Sequence, residues 1–361
     1  MSTQPYPFMV RVGRQALQTK GHLKENAFVR LSVVIPVHNG GTDLQQCLEA
    51  LLHSTRPPDE LIIVDDASTD GSAQLAERFG TVLMGGHHHP IGPARARNLG
   101  ATQSQGDVLL FLDADVMVHT DTLALVERHF IERPEIAALF GSYDDHPPHR
   151  NWVSLYKNLQ HHFVHHQSQR EASSFWTGVG AIRRDVFLRL GGFASSYSRP
   201  SIEDIELGVR LRASGYRIRL CPDVQVTHLK RWNINNLLRT DILDRALPWT
   251  RLIYSTSQLP TDLNLDRKSR MSALCVWGLL ILFLFGLWFP FAWIGIPALT
   301  GFLIAANFAL YRFFYQRGGL CFAAGAMLLH FFYYFYSSLT FGFVSIEYLL
   351  ERKIQKNKHI S

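Results

Sequence analysis

The stretch DVLLFLDADV (residues 107–116) joins a run of five apolar residues to two acids spaced two apart. Such a run, ending at a turn signal, is typical of a strand buried in a parallel sheet. Side chains alternate along an extended chain, so Asp113 and Asp115 are predicted to face the same side. Two neighbouring anions repel each other unless a cation lies between them, and a hard divalent ion fits that position. The alternative is a plain strand end that enters a loop, where both acids are solvated.

Strands and helices alternate around this stretch. The segments LSVVIPV (31–37), LIIVDD (61–66) and TVLM (81–84) predict three further strands. Helices are predicted over residues 40–52, 72–79, 93–102 and 120–130. This alternation implies an α/β fold with helices on both faces of a parallel sheet. Ligands of such sheets bind beyond the carboxyl ends of the strands, where the following polar segments are predicted to lie: His38-Asn39, Asp65-Asp66, residues 85–93 and Asp113 to Asp115.

Composition and motifs exclude several function classes. The chain has 361 residues, a net charge of +6 and four cysteines. The cysteines show no paired spacing, so neither a disulfide framework nor a zinc site is predicted. The sequence contains neither G-x-G-x-x-G nor G-x-x-x-x-G-K-S/T, and therefore lacks the dinucleotide and P-loop fingerprints. We expect no nucleic acid as a partner.

The C-terminal part of the chain is strongly apolar. Residues 271–311 contain no Asp, Glu, Lys, Arg or His, and the run is about twice the roughly 20 residues that span a bilayer. Pro290, near its middle, predicts the turn of a helical hairpin. In a second run, residues 318–346, His330 is the only ionisable side chain. About three transmembrane helices are therefore predicted within residues 271–350, and a large buried core hairpin is the alternative.

The flanking segments indicate how the chain is arranged about a membrane. Residues 1–30 form an N-terminal extension that is basic and has no apolar core, so no secretory signal is predicted. Residues 251–270 form a linker, and its basic cluster favours a cytoplasmic position for all that precedes the first apolar run. Three crossings would leave the basic tail, residues 351–361, outside, against the same rule. Whether the last run crosses fully therefore stays open. We expect a multi-pass protein of the inner cell membrane.

Seven stretches of the chain follow one another in the order found in one enzyme family. They are VVIPVHN, IIVDDASTDG, ARARNLGA, GDVLLFLDADV, FWTGVGAIRRDVFLRLGGF, IEDIELGVRLRASGY and VTHLKRW, within residues 31 to about 232. Together they resemble family 2 glycosyltransferases with a GT-A fold and a C-terminal membrane anchor. The resemblance implies a Rossmann-like catalytic domain, residues 31–250, with a mixed, mostly parallel sheet. It implies inverting transfer of a sugar from a nucleotide-sugar, expected to be a UDP-sugar, with Mn²⁺ or Mg²⁺ as cofactor. The membrane anchor favours a lipid or lipid-linked acceptor, and transfer of one sugar per event is expected.

The resemblance also assigns roles to individual residues. In the E-D pair, Asp204 matches the base that takes the proton of the acceptor hydroxyl, and Glu203 orients it. The metal ligands are Asp113, Asp115 and His228, with Asp115 the direct ligand and Asp113 also placed at the ribose or at a bound water. The nucleotide-sugar contacts fall into four groups. Pro36, Val37, Asp65 and Asp66 form the subsite of the nucleobase, and Arg97 and Asn98 belong to the R-N-x-G element. Asp113 belongs to the D-x-D pair, and Gly178 to the glycine loop beneath the sugar.

Other functions fit parts of the sequence. His228, Arg231 and Trp232 form H-x-x-R-W where processive polysaccharide synthases have Q-x-x-R-W, but the glutamine and the extra membrane spans are missing. Aspartyl-phosphate phosphatases also use D-x-D-x-V, yet on their first strand and with later elements that are absent here. A third alternative is an inactive scaffold that keeps the fold and binds partners, and the intact acidic positions argue against it. The histidines at residues 87–89 and 161–166 favour a solvated or interfacial role over a metal site.

Overall fold

A computed structural model describes residues 28–86, 89–256 and 263–358 of the chain. Most of the N-terminal extension, two of the loop histidines (His87 and His88) and the end of the basic tail lie outside the described residues. The chain forms two compact units. The first combines the residues up to Ser142 with Ser174–Leu229, and the second combines Tyr143–Ser173 with the chain from Lys230 onward.

The strands are short and mostly buried. They are β1 (Leu31–Val37), β2 (Glu60–Asp66), β3 (Thr81–Gly86), β4 (Val108–Leu112), β5 (Val116–Val118), β6 (Ile136–Tyr143), β7 (Glu171–Ala172), β8 (Val179–Arg183) and β9 (Arg217–His228). Eight of them follow the order β3-β2-β1-β4-β8-β6-β9-β5. The β3-β2-β1-β4 part is parallel, whereas β8 pairs antiparallel with both β4 and β6. The predicted α/β fold with a mixed sheet is confirmed.

The helices of the first unit flank this sheet. They are α1 (Gly41–Leu52), α2 (Ser72–Ala76), α3 (Pro93–Gln103), α4 (Thr122–Glu132), α6 (Arg184–Arg189) and α7 (Glu203–Ala213), with α5 (Trp152–Gln167) belonging to the second unit. Pro93 begins α3, where a missing backbone N–H costs nothing. Gly100 lets α3 lie directly on the sheet, because a Cβ there would be 2.5 Å from the Val34 side chain.

The register brings the carboxyl ends of the parallel strands together. Val37 of β1 lies beside Asp65 of β2, and Val34 lies beside Phe111 of β4. One prediction about this edge is wrong in detail: β4 ends at Leu112, and the segment from Asp113 to Asp115 forms a turn into β5. Strand alternation therefore does not determine the directions of the two acids.

The second unit is helical. After α5 it contains α8 (Ile234–Arg239), a π-helical segment (Thr240–Ala246), α9 (Leu247–Thr256), α10 (Arg267–Gly286), α11 (Gly295–Ala306) and α12 (Phe308–Lys358). The turn predicted at Pro290 is a short 3₁₀ segment, Pro290–Ile294, between α10 and α11. Gly319 kinks α12, since its φ of 75° and ψ of −177° suit only glycine. Within this unit Lys157 and Tyr336 both bond the buried Asp241 carboxylate, at 2.7 Å each.

Two helices of this unit, Arg267–Gly286 and Phe308–Ile354, are long and apolar enough to cross a membrane. The intervening apolar helix, Pro290–Ala306, is shorter. The described residues thus contain two helices of spanning length, whereas about three transmembrane helices were predicted from the sequence.

Candidate active site

The loops after β1 and β2 are tied to each other. The Nδ1 of His38 lies 2.7 Å from the carbonyl oxygen of Asp66, and the Asn39 Oδ1 accepts a 2.8 Å hydrogen bond from the Thr69 N–H. Asn39 and Ala67 both have positive φ, 54° and 60°, which non-glycine residues adopt rarely. Strain of this kind persists only where surrounding contacts enforce it. The two loops therefore form a fixed wall at the edge of the sheet.

The acidic pair after β2 has two different environments. Both oxygens of the buried Asp66 carboxylate accept backbone N–H groups, from Ile91 at 2.7 Å and Gly92 at 2.8 Å. Asp65 is also buried, and its Oδ2 accepts the Ser68 N–H at 3.2 Å. Its Oδ1 has no hydrogen-bond partner among the described residues. Asp66 thus holds the loop before α3, whereas Asp65 keeps acceptor capacity for a ligand.

Pro36 and Val37 lie at the same edge, opposite Val64 and Asp65 of β2. Val37 is buried and Pro36 is half-buried. The strand register therefore brings these two apolar residues next to the acidic pair.

Asp113 and Asp115 point to different partners. Asp113 accepts a 2.6 Å hydrogen bond from the Arg97 guanidinium. Asp115 has its Oδ2 3.6 Å from the Nε2 of His228, because β5 and β9 pair with Val116 opposite His228. Both carboxylates are about one-third exposed, so solvent and ligands reach them.

Arg97 links the two acidic motifs of the site. It is buried, and its NH1 donates to Glu203 Oε1 at 3.0 Å while its NH2 donates to Asp113. Burial opposes its charge, but Asp113 and Glu203 more than offset this and raise the pKa of Arg97. Through these two hydrogen bonds Arg97 holds α3, the β4–β5 turn and the start of α7 together.

The E-D pair lies at the N-terminus of α7. Glu203 is buried between Arg97 and the Ser201 N–H, which Glu203 Oε2 accepts at 2.9 Å. Asp204 is less buried, and its Oδ2 accepts both the N–H and the hydroxyl of Thr177, at 3.2 and 3.3 Å. Desolvation and the neighbouring Glu203 charge raise the pKa of Asp204 to about 6, against the lowering effect of Arg97. A carboxylate with such a pKa is ionised at neutral pH yet basic enough to accept a proton.

Two further predicted residues have packing roles. The Asn98 side chain bonds both the N–H and the carbonyl of Phe193, each at 2.8 Å. Gly178 leaves room for Trp176, since a Cβ at Gly178 would be 2.2 Å from the Trp176 ring. Both residues shape the walls of the site.

One group of metal-ligand residues lies outside this site. His129, Cys221 and Asp223 have ligand atoms within 4.8 Å of one another. Arg133 can only donate, so its 2.9 Å contact to His129 Nδ1 leaves the ring proton on Nε2, which donates to Asp223 at 2.8 Å. Neither ring nitrogen then offers a lone pair to a metal ion.

The histidines of α5 form stacked pairs. The His162 and His166 rings have centroids 3.9 Å apart and an interplanar angle of 23°. A metal ion lies in the plane of each ring that binds it, so nearly parallel rings do not share one. The stacking thus does not favour a metal site at these histidines.

Comparisons with known proteins show which family part of the chain resembles. Residues 32–191 match the family model for glycosyl transferase family 2. Residues 32–191 form a glycosyl transferase family 2 domain. Residues 157–232 also match the model for the N-terminal domain of galactosyltransferase.

Similar proteins include several glycosyltransferases. Glycosyltransferase AglE of Haloferax volcanii is 37% identical over 101 residues, which are 26% of this chain and 33% of AglE. The rhamnosyltransferase RfbN of Salmonella typhimurium is 23% identical over 236 residues, 61% of this chain and 74% of RfbN. The mannosyltransferase PcManGT of Pyrobaculum calidifontis, solved with GDP-Man and Mn²⁺, superposes with a TM-score of 0.53. The match covers 86% of each chain at 20% identity, which establishes a shared fold.

Two residues that shape the site were not among the predicted site residues. Thr177 bonds the Asp204 carboxylate, and Phe193 lies under the Arg97 guanidinium at 5.8 Å as well as bonding Asn98. Both residues lie within the stretch FWTGVGAIRRDVFLRLGGF. Their position in this motif could have indicated a role in the site. Their partners, however, are distant in sequence and only the fold identifies them.

Proposed function

We propose that the chain is a membrane-anchored, metal-dependent inverting glycosyltransferase. It transfers one sugar per event from a nucleotide-sugar, with UDP-sugars as the expected donors, to a lipid or lipid-linked acceptor. The observation that carries this proposal is the ion-pair chain from Asp113 through Arg97 to Glu203, next to Asp204. It connects Asp113, on the side proposed for the nucleotide-sugar, to Glu203, the neighbour of the proposed base Asp204.

The nucleobase of the nucleotide-sugar is proposed to bind at the wall formed by Pro36, Val37 and the acidic pair Asp65-Asp66. Asp65 Oδ1 is the acceptor with open capacity, and an N–H of the base can donate to it. Asp66 fixes the loop that closes this subsite through Ile91 and Gly92.

A divalent ion fits the turn after β4. The donor set consists of two carboxylates and an imidazole, ligand types that Mn²⁺ accepts, while Mg²⁺ prefers the oxygens. Asp115 Oδ2 and His228 Nε2 are 3.6 Å apart, a distance that one ion bonded to both can span. When bound, the ion would neutralise charge on the diphosphate leaving group. Asp113 has one oxygen on Arg97, and its other oxygen is proposed to bind the ion, the ribose or a water.

Asp204 is proposed as the base that takes the proton of the acceptor hydroxyl. Thr177 holds its Oδ2, and the Ile205 N–H holds its Oδ1 at 2.8 Å. Glu203 and Arg97 keep the start of α7 in place and act as positioning residues. One attack on the face opposite the leaving group inverts the anomeric carbon.

The membrane part of the proposal rests on α10 and α12, which have spanning length and apolar composition. Arg267, Lys268 and Arg270 begin α10, and basic residues next to a span favour the cytoplasmic side. We therefore assign the chain to the inner cell membrane as a multi-pass protein, with its catalytic domain in the cytoplasm. An enzyme held in this way meets acceptors that are lipids.

The direct test is a panel of UDP- and GDP-sugars with the purified full chain in detergent and a membrane lipid extract. Product should form with one donor and Mn²⁺ or Mg²⁺, and Asp204→Asn should abolish it. Asp185→Asn, a matched change at a surface carboxylate paired with Arg189, should leave the rate unchanged. Transfer at the normal rate by Asp204→Asn would overturn the assignment of the base.

A further inference from the structure

A cavity of about 290 Å³ lies inside the helical second unit. Its walls come from α5, the N-terminal turn of α10 and α12. It therefore lies where an apolar helix of spanning length begins, beside the basic residues that precede it. A cavity at such a boundary faces lipid headgroups when the helix crosses a bilayer.

Part of the polar wall is already paired. The Asn307 amide donates to Ser272 Oγ at 3.0 Å, and its Oδ1 accepts the Tyr334 hydroxyl at 3.1 Å. These hydrogen bonds join α10, the C-terminal end of α11 and α12. The groups that form them need no ligand.

Another polar group of the wall is a buried amide. Gln160 of α5 is 2% exposed and lines the cavity. Buried amides are nearly always hydrogen-bonded, to protein or to a bound molecule. The Gln160 amide can donate to and accept from a ligand.

The cavity also carries one charge of each sign. Among the described lining residues only Asp266 and Lys268 are charged at neutral pH, with His330 taken as neutral. Asp266 is the N-cap of α10 and accepts the Ser269 N–H at 2.8 Å, so its second oxygen remains available to the cavity. Lys268 is exposed and makes no ion pair with described residues. The apolar side chains of Phe163, Leu310 and Tyr333 complete the lining.

We propose that this cavity binds the headgroup of a membrane phospholipid that carries a phosphodiester and a hydrogen-bond donor. Lys268 pairs with the phosphate, while Asp266 and Gln160 accept from the hydroxyl or ammonium group of the headgroup. The acyl chains follow the exposed apolar flank of α10, where Leu274 and Ile281 are 67% and 61% exposed. The proposal rests on the membrane part of the proposed function and not on the transfer reaction.

Three phospholipids with the same acyl chains distinguish this recognition from plain partitioning. Phosphatidylglycerol and phosphatidylethanolamine have the donor, and phosphatidylcholine has the phosphate without one. The full chain in detergent is titrated with each lipid, and bound lipid is measured by native mass spectrometry. The first two lipids should bind, and phosphatidylcholine should not. Equal binding of all three, or of none, would overturn the proposal.

Variants locate the site. Lys268→Ala should weaken phosphatidylglycerol binding about tenfold, as expected for losing a hydrogen bond to a charged group. Arg267→Ala removes a neighbouring exposed charge that does not line the cavity and should change nothing. Equal losses in the two variants would mean surface attraction only and would contradict the proposal.

Gln160→Leu tests the buried amide and is expected to remove the preference over phosphatidylcholine. A preserved preference would exclude Gln160 from the site. These binding experiments contain no nucleotide-sugar. Their results therefore do not depend on whether the chain catalyses sugar transfer.

An acceptor lipid is a second source of phosphate. A polyprenyl phosphate is added to the phosphatidylglycerol complex, and the phosphomonoester should fail to displace the lipid because it has no headgroup donor beyond the phosphate. Displacement at equal concentration would overturn the phospholipid assignment and mark the cavity as an acceptor site.

Discussion

Replacing Arg97 by methionine removes the link between the two acidic motifs. The guanidinium donates to Glu203 at 3.0 Å and to Asp113 at 2.6 Å, and Glu203 is only 4% exposed. Without Arg97, Glu203 becomes a buried charge without its partner, which costs about 3–5 kcal/mol. At about 2–4 °C per kcal/mol for a unit of this size, the melting temperature should fall by about 6–20 °C.

Arg95→Met is the matched control. Arg95 lies two residues earlier in α3, is exposed, and donates one hydrogen bond, to the Ser195 carbonyl at 3.1 Å. Its replacement should change stability by less than about 0.5 kcal/mol. Thermal unfolding of both variants in the same detergent measures the difference.

The Arg97 variant also has an electrostatic consequence. The Arg97 charge lowers the pKa of Asp204, so its loss moves that pKa above about 6. A base must be ionised to act, so a higher pKa moves the acidic limb of kcat/KM to higher pH. Adding Glu203→Gln to Arg97→Met removes the unpaired charge and should restore part of the stability, as a double-mutant cycle measures. An Arg97→Met protein as stable as Arg95→Met, with an unmoved acidic limb, would refute the reasoning.

Further predictions concern the base, the pH profile and the glycine loop. Asp204→Asn should retain donor binding in a calorimetric titration and lose transfer, and loss of both would indicate a structural role. The wild-type kcat/KM should fall about tenfold per pH unit below about pH 6, as Asp204 becomes protonated, and a flat profile down to pH 4.5 would exclude this base. Gly178→Ala should cost about 1–3 kcal/mol by displacing Trp176. Gly342→Ala, whose new Cβ meets no atom within 4 Å, is the control, and equal melting temperatures of the two would contradict the packing argument.

Local patterns located the parallel half of the sheet well. The apolar runs predicted β1 and β2 to within one residue, and Pro93 marked the start of α3. The antiparallel pairing of β8 with β4 was not evident, because Leu112 and Val179 meet across a long stretch of chain. Pairing of that kind depends on tertiary packing and leaves no periodic signal in either strand.

Residue types in the site were easier to predict than their partners. Asp66 was expected at the donor base, whereas its two oxygens hold the Ile91 and Gly92 N–H groups. Arg97 was expected to contact the nucleotide-sugar, and in the structure it donates to Asp113 and to Glu203, which lies 106 residues after Arg97. A motif identifies chemically useful side chains, but the packed fold decides which of them meet each other and which remain available to a ligand.

The central claim is that the acids after β4 hold a divalent ion against the diphosphate of the donor. Calorimetric titration of UDP into the full chain, with Mn²⁺ and then with excess EDTA, tests it directly, with Asp115→Asn as the variant. The account predicts Mn²⁺-dependent binding that EDTA abolishes and that Asp115→Asn weakens at least about tenfold, the loss of one charged ligand. Equal UDP affinity with Mn²⁺, with EDTA and in Asp115→Asn would contradict it.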